Sequence, residues 1–519
     1  MTRCVTLLED AKNTFSHERR TIRFSDALEV EVYPRSIIMS GEDYVYLGIS
    51  GGVKYLWILF NSSDDTRWGS FNGEIVAQNI ERGKLNLKKC SLHHQNALTM
   101  RNLFSFTAPT ILEPGHSLGL GDRLGLAGPG HIRAVAGTSM KAILAQQSIR
   151  ELTRTERTPE EVIDAATWAV FQEGYRDGFG ADADHLKTEE DIDLMVKAGY
   201  TMYTIDPGDH VDNEADICSG AELREKVGAI AWSELEDTLA DCEKRHAGRI
   251  IKLSDGLTLN PDREEIYRAI AKYGRAILYT YTMYHYLLDA MSGKPFELEM
   301  SVDETDAVTT TFEHYFIATE LKRLGVKFIS LAPRFIGDFE KGIDYKGDLG
   351  RFQKEYEKHA LISQHMGPYK LSFHSGSDKF SVYHIVGNLR GGYVHIKTAG
   401  TSYLVALQTI SSKNPDLFRA ILDFSRQGFH VNRSTYHISA EIENVPAGTR
   451  CSDDQLQALF DDENARQVLH VGFGSVLTEK DSEGNYLFRD RIRDCLKIYE
   501  EVHYDNLEQH MKRHIAPFL

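Results

Sequence analysis

Apolar and polar positions change rhythm near residue 115. Before it, apolar residues come in short runs, EVEVYPRSIIMS, DYVYLGIS and KYLWILFN, rich in β-branched and aromatic side chains and divided by Gly and Asp turns. They predict a β-rich N-terminal region over 1–115. After Pro114, strand-like runs alternate with stretches of helical period. The strand candidates are GDRLGLAG, GFGADADHL, TMYTIDPGD, FELEMSVDET, VKFISLAP, YKLSFHSG, GYVHIKTAG and GFHVNRSTYHIS. Helical patterns such as TEEDIDLMVKAG and TTTFEHYFIATELKRLG follow several of them, and TPEEVIDAATWAVFQEGY carries a start signal at Thr158 and Pro159. Eight strands alternating with helices over roughly 320 residues predict the α/β class, a parallel (β/α)8 TIM-like barrel over 116–440. The charged, helical stretch at about 211–297 exceeds one crossover and reads as an α-helical insertion between the third and fourth strands. Residues 441–519 read as a C-terminal helical extension.

Composition narrows the classes. The chain has 519 residues, 42 % hydrophobic and 26 % charged, which is ordinary for a globular protein of more than one core. Its net charge of −17 argues against nucleic acid or an anionic membrane surface as partner, since both demand a positive field. Six scattered cysteines with no C-x-x-C pair read as reduced thiols, and no segment approaches a membrane span or a secretion signal. The expectation is a soluble cytoplasmic protein, with homo-oligomerisation left open.

A barrel places its chemistry at the C-terminal strand ends. Polar residues collect there: Asp182, Asp184 and His185 on the strand read as second, Asp206 and His210 on the third, Asp303 and Glu304 on the fourth. Arg334 follows the fifth, with Glu340, Asp344 and Asp348 beyond it. The sixth ends in His374, Ser375, Asp378 and Lys379, and the seventh carries His395, Lys397, Thr398, Thr401 and Tyr403. His430 and His437 lie on the eighth. Any one of these has a plainer reading, since Asp or Thr before a helix is most often a cap. Imidazoles and ammonium groups recurring on several strand ends are not explained by capping.

Imidazole with carboxylate is the usual ligand mix for a divalent cation such as Zn²⁺, Mn²⁺ or Ni²⁺, although the spacing matches no helical metal motif. Such an ion polarises a carbonyl, and Asp184 and Glu304 from different strands then serve as base and acid. Lys397 reads either as a Schiff-base lysine or as a cation for a substrate carboxylate or phosphate. The turns after His374 and Lys397 expose backbone N–H groups that also favour an anion. Carbonyl chemistry on a small acidic molecule is the reading from the residues alone.

The motifs SLGLGDRLGLAGPGHIRAV, GFGADADHLKT, SVDETD, FEKGIDYKGD, FHSGSDKFSVY and HIKTAGTSYLVAL together resemble the tagaturonate epimerase family of hexuronate metabolism, from about residue 117 onward. The resemblance implies a ketouronate substrate, tagaturonate interconverting with fructuronate at C4, and a required divalent metal. Carried over onto this sequence, it implies Asp184 as base, Glu304 as acid, and His185, His374 and Asp344 as metal ligands, with Glu340 or Asp303 as substitutes for Asp344. Charge assigns Arg123, Lys379 and Lys397 to the substrate carboxylate, with Thr401 and Tyr403 beside them. Retro-aldol cleavage and recombination is the expected route, with weak side activity on fructose and tagatose. The competing readings are a metal- or lysine-dependent sugar-phosphate aldolase or ketose isomerase, and an inert sugar-binding barrel.

Overall fold

Eight parallel strands close into a barrel: β1 (Ser117–Gly119), β2 (Lys141–Ser148), β3 (Gly180–Leu186), β4 (Met202–Ile205), β5 (Glu297–Ser301), β6 (Ser330–Ala332), β7 (Lys370–Phe373) and β8 (Tyr393–Lys397), with β8 pairing onto β1. The structure is a computed structural model and describes residues 3–14, 16–61, 67–80, 85–112, 114–248, 250–253, 256–389 and 391–519. The α/β barrel expected from the alternation is therefore the fold, but two of its strands are not the expected ones. β1 lies just ahead of GDRLGLAG, and KAILAQQS forms β2, which the sequence reading passes over. GFHVNRSTYHIS forms no strand; Phe429–Asn432 is a helical turn and Arg433–Thr435 a 3-10 turn. The strand read as second is accordingly β3, and each later one moves up by one.

Period-two alternation explains what each strand buries. On β3, Ala181 and Ala183 join the apolar layer under the helices, while Asp182 and Asp184 turn into the barrel. Leu298 and Met300 on β5 face the same layer, as do Val394 and Ile396 on β8. Glu299 and Lys397 meet inside, at 2.9 Å. Barrel interiors are ordinarily filled by branched apolar layers. Here charge fills the upper layer, and apolar packing returns near the strand starts in the group Leu112, Ile143 and Met202.

The N-terminal region forms a seven-stranded antiparallel sheet. Its central hairpin, Asp43–Ser50 with Val53–Asn61, turns on Gly51 and Gly52, both at positive φ (58° and 78°), as a two-residue turn of the primed type requires. One sheet face packs on the helix Arg3–Asn13, the other on Trp168 and Phe171 of the barrel helix Pro159–Glu173. The insertion between β4 and β5 contains the helices Gly220–Gly228 and Leu239–His246, and the 29-residue helix Arg263–Met291 that returns the chain to β5. Among the described residues no helix is long and apolar enough to cross a membrane.

The C-terminal helices reach back to the barrel mouth. From Glu500–Ile515, His510 Nε2 lies 2.6 Å from Asp378 Oδ1 and His514 Nε2 lies 3.3 Å from it, while Arg466 of Glu463–Val471 pairs with Oδ2. Burial disfavours the Asp378 anion, but His510, His514 and Arg466 outweigh it and hold its pKa well below the carboxylate range. A carboxylate depressed in the folded state stabilises fully above its unfolded pKa near ~4 and loses that contribution as pH falls below it. Asp378→Asn therefore costs about 3 kcal/mol at pH 7, the low end for breaking a buried ion pair. Thermal unfolding of both proteins at pH 7 and pH 3 checks this: the gap between them narrows at the lower pH.

Candidate active site

A strand end normally sends successive side chains to opposite faces. At the end of β3 that rule is broken, because His185 adopts a left-handed conformation (φ 54°) and the β3–β4 register shifts between Ala183 and Leu186. Asp184 and His185 consequently both face the mouth. On β7 the alternation itself, with Leu371 and Phe373 outward, turns His374 inward. The side chains of Asp184, His185 and His374 present ligand atoms within 4.8 Å of one another.

Hydrogen bonds fix how the two imidazoles meet. His374 Nε2 lies 2.6 Å from Glu299 Oε1, and His185 Nδ1 lies 3.2 Å from Asp206 Oδ2. With those N–H groups donated to carboxylates, the remaining nitrogens present lone pairs to each other, His374 Nδ1 and His185 Nε2, only 3.0 Å apart. Asp184 Oδ1 lies 3.7 Å from one and 3.9 Å from the other, and Asp303 Oδ1 is 3.3 Å from His374 Nδ1. Opposed lone pairs ringed by carboxylates repel unless a positive charge sits between them. In the absence of another cation a proton takes that role: burial opposes it, yet Asp184, Asp206, Asp303 and Glu304 raise the His185 pKa to about 10. The donor set, imidazole and carboxylate with carboxylates bonded behind each ring, suits a divalent cation.

Below this cluster lies a buried charge knot. Lys397 Nζ meets Asp184 Oδ1 at 2.7 Å, Asp182 Oδ2 at 2.9 Å and Glu299 Oε1 at 2.9 Å, and donates to Thr204 Oγ1 at 2.8 Å. Burial works against its charge, but the three carboxylates hold its pKa well above the ordinary lysine range. Lys397 thus stays protonated, which removes it as a Schiff-base nucleophile and as a free partner for a substrate. Asp184, desolvated but held by Lys397, His185 and His374, has its pKa pushed far down, and its Oδ2 accepts from Gln146 Nε2 at 3.0 Å. Such a carboxylate has the character of a permanent anion, poor as a base and good as a ligand.

The other expected residues divide. Glu304 lines the mouth cavity of about 260 Å³, with Oε1 3.5 Å from Arg150 Nη2. Asp344 does not reach the imidazoles; it accepts from Ser381 N at 3.1 Å and Ser381 Oγ at 2.9 Å, and so caps the helix Phe380–Asn388. Glu340 is likewise occupied, by Ser439 and Gln467. Lys379 lies buried and donates to the carbonyls of Glu340, Ile343 and Ser377. Burial lowers its pKa to about 7, but it is out of reach of a substrate. Tyr403 packs on Phe473 in the C-terminal core, and neither it nor Thr401 lines the mouth cavities. Arg123 does line the mouth, in a recess of about 40 Å³ that also touches Asp184, His185 and His374, and it is bonded to Glu151 Oε1 through Nε and Nη2.

Sequence reading missed Glu299, Arg150, Lys341 and His470. Glu299 left a signal: FELEMS sets glutamates two apart in a run otherwise apolar enough for burial on both faces. His470 left none, since it comes from the C-terminal helices. A Cβ on Gly400 would lie 1.8 Å from His470 Nε2, so only glycine at the β8 turn admits that ring to the recess.

The profile of the tagaturonate epimerase family matches residues 33–518. The chain is 43 % identical over 426 residues to the tagaturonate/fructuronate epimerase of Thermotoga maritima, covering 82 % of this chain and 85 % of that protein. The native crystal structure of the fructuronate-tagaturonate epimerase of Cohnella laeviribosi superposes with a TM-score of 0.88 at 37 % identity, over 94 % of this chain and 96 % of that one. A glycerol complex of the same enzyme matches with the same TM-score at 36 % identity and the same coverage of both chains.

Proposed function

The chain belongs to the tagaturonate epimerase family, and on that premise we propose how it interconverts D-tagaturonate and D-fructuronate: by cleaving and re-forming the C3–C4 bond, with His185, His374 and Asp184 as ligands of a divalent cation. The observation that carries this reading is the pair of imidazole nitrogens, His374 Nδ1 and His185 Nε2, facing each other at 3.0 Å beside Asp184. When bound, a Zn²⁺, Mn²⁺ or Ni²⁺ ion supplies Lewis-acid polarisation of the substrate's C2 carbonyl.

The substrate's own chemistry sets the rest. The C4 hydrogen is β to the ketone and not acidic, whereas the C4 hydroxyl is placed for retro-aldol cleavage. Removing the hydroxyl proton lets the O–H pair become the C4 carbonyl, while the C3–C4 pair moves onto the enediolate of the C1–C3 fragment. Turning the C4 aldehyde and re-forming the bond inverts C4. The consecutive carboxylates at the end of β5 turn in different directions, Asp303 toward His374 Nδ1 and Glu304 toward Arg150. They exchange the proton at the C4 oxygen, one for each epimer. Asp184 stays ionised throughout, a ligand in place of the base the resemblance implied. We place the reaction in the cytoplasm, a setting supported by six cysteines with no disulfide among the described residues.

Proton NMR of tagaturonate in D₂O, with added Mn²⁺ or Zn²⁺ and with a chelator, tests the proposal. The expected result is fructuronate formed only with the ion and free of deuterium at C4. Obligate deuterium at C3 with C3 epimers overturns cleavage in favour of proton abstraction beside the ketone, and conversion undiminished by chelation overturns the cation.

A further inference from the structure

The mouth has a second pole, opposite in charge to the acidic cluster. Arg123, Arg150, Lys341 and the neutral His470 all line the recess that ends at Asp184, His185 and His374. Two of the cations there lack a full set of partners. Lys341 Nζ has no hydrogen-bond or ion-pair partner among the described residues, and Arg123 Nη1 is buried without one, as is His470 Nδ1. Burial lowers the Lys341 proton affinity and the nearby Arg150 lowers it further, while burial and the charges of Arg123 and Lys341 keep His470 well below the ordinary histidine pKa.

The loop that presents Lys341 is braced from both sides. Lys379 holds the carbonyls of Glu340 and Ile343, Gln467 Nε2 reaches the Glu340 carboxylate at 2.7 Å and the Lys341 carbonyl at 3.3 Å, and Arg466 Nε donates to the Gly342 carbonyl at 2.7 Å. A fixed backbone carrying a half-buried ammonium with no hydrogen-bond or ion-pair partner of its own is the arrangement of an anion site waiting for its anion.

We propose that Lys341, with Arg123 Nη1 and Arg150 beside it, grips the C6 carboxylate of the ketouronate and thereby keeps the C4–C6 fragment in the mouth while the C3–C4 bond is open. The assignment rests on the retro-aldol reading above. Cleavage divides the hexulosonate into the enediolate of a C1–C3 fragment and a C4–C6 aldehyde that carries the carboxylate. Held by that carboxylate, the aldehyde turns its other face and recombines. Released, it leaves as 2-hydroxy-3-oxopropanoate, and the enediolate takes a proton at C3 to leave as dihydroxyacetone; the atoms balance with no oxidant or reductant. Gripping the carboxylate is therefore what separates an epimerase from an aldolase in this pocket.

The test is Lys341→Met, with Lys341→Arg as the charge-retaining control, in the metal-loaded full chain on tagaturonate, with products followed by ¹³C NMR. In Lys341→Met, KM rises about 10- to 100-fold, the scale of one charge-assisted hydrogen bond, and the two three-carbon fragments appear in proportion to turnover. In Lys341→Arg, fragment release falls back toward the unmodified level. A Lys341→Met enzyme with unchanged KM and no fragments overturns the proposal, as does one that loses kcat alone. If the unmodified protein fails to epimerise tagaturonate at all, the reaction assignment itself falls; if it epimerises with obligate deuterium at C3, the cleavage step falls and fragment retention with it.

Discussion

His374→Ala lowers kcat/KM for tagaturonate by about three orders of magnitude, since Lewis-acid stabilisation is worth several kcal/mol and each ~1.4 kcal/mol is tenfold. The same substitution lowers the content of tightly held divalent cation, read by elemental analysis after dialysis, from one per chain toward none. Both effects follow from one imidazole having two jobs: its Nδ1 faces His185, and its Nε2–H is fixed by Glu299 at 2.6 Å. Alanine removes one of the three proposed cation ligands and leaves the Glu299 oxygen without its imidazole donor. Retention of stoichiometric cation together with near-normal turnover would remove the cluster from the mechanism.

The second large effect is on stability. Lys397→Met leaves Asp182, Asp184 and Glu299 around a buried methionine, and removing one partner of a buried pair costs about 3–5 kcal/mol. Three carboxylates lose the same partner here, so the upper end applies. The pH dependence also changes sign. In the unmodified protein Glu299 and Asp184 have depressed pKa values, burial being outweighed first by Lys397, so stability falls as pH drops through the acid range. Without the ammonium their folded pKa values rise above the unfolded ones. That contribution is then present at low pH and lost as pH rises through the folded pKa. Thermal unfolding of Lys397→Met is expected to move up between pH 7 and pH 5, where the unmodified protein shows no such gain.

Much of this was legible in the chain, for physical reasons that also explain the misses. The barrel follows from alternation of period two and period 3.6, which survives local noise. KAILAQQS escaped because Gln146 and Gln147 break an apolar run, and those polar residues sit where the barrel interior needs them: Gln146 bonds Asp184. GFHVNRSTYHIS imitated a strand through its Val, Tyr and Ile, yet that stretch packs as short turns in the C-terminal half. At the site, His185 and His374 were readable as strand-end imidazoles. Asp344 was not separable from a ligand by sequence, because an aspartate that caps a helix and one that binds a cation look alike in EKGIDYKGD. The lysines were misread for a related reason: charge is visible in a sequence, but whether carboxylates or carbonyls already surround it is decided by distant strands. Lys397 and Lys379 are consumed in that way, and Lys341 is left open.

The bracing of the Lys341 loop by Arg466 and Gln467 sets an order of events during synthesis. The barrel has all its strands once Lys397 has emerged, but the loop carrying Lys341 is held from one side only, by Lys379, until the helix Glu463–Val471 follows. At about 5–20 residues per second that interval lasts several seconds. A nascent chain in that interval has all three proposed cation ligands and a Lys341 loop braced by Lys379 alone. On the proposed roles, the residues for cleavage are thus complete in the chain before the grip on the carboxylate is braced from both sides, and a segment beyond the barrel supplies that second brace.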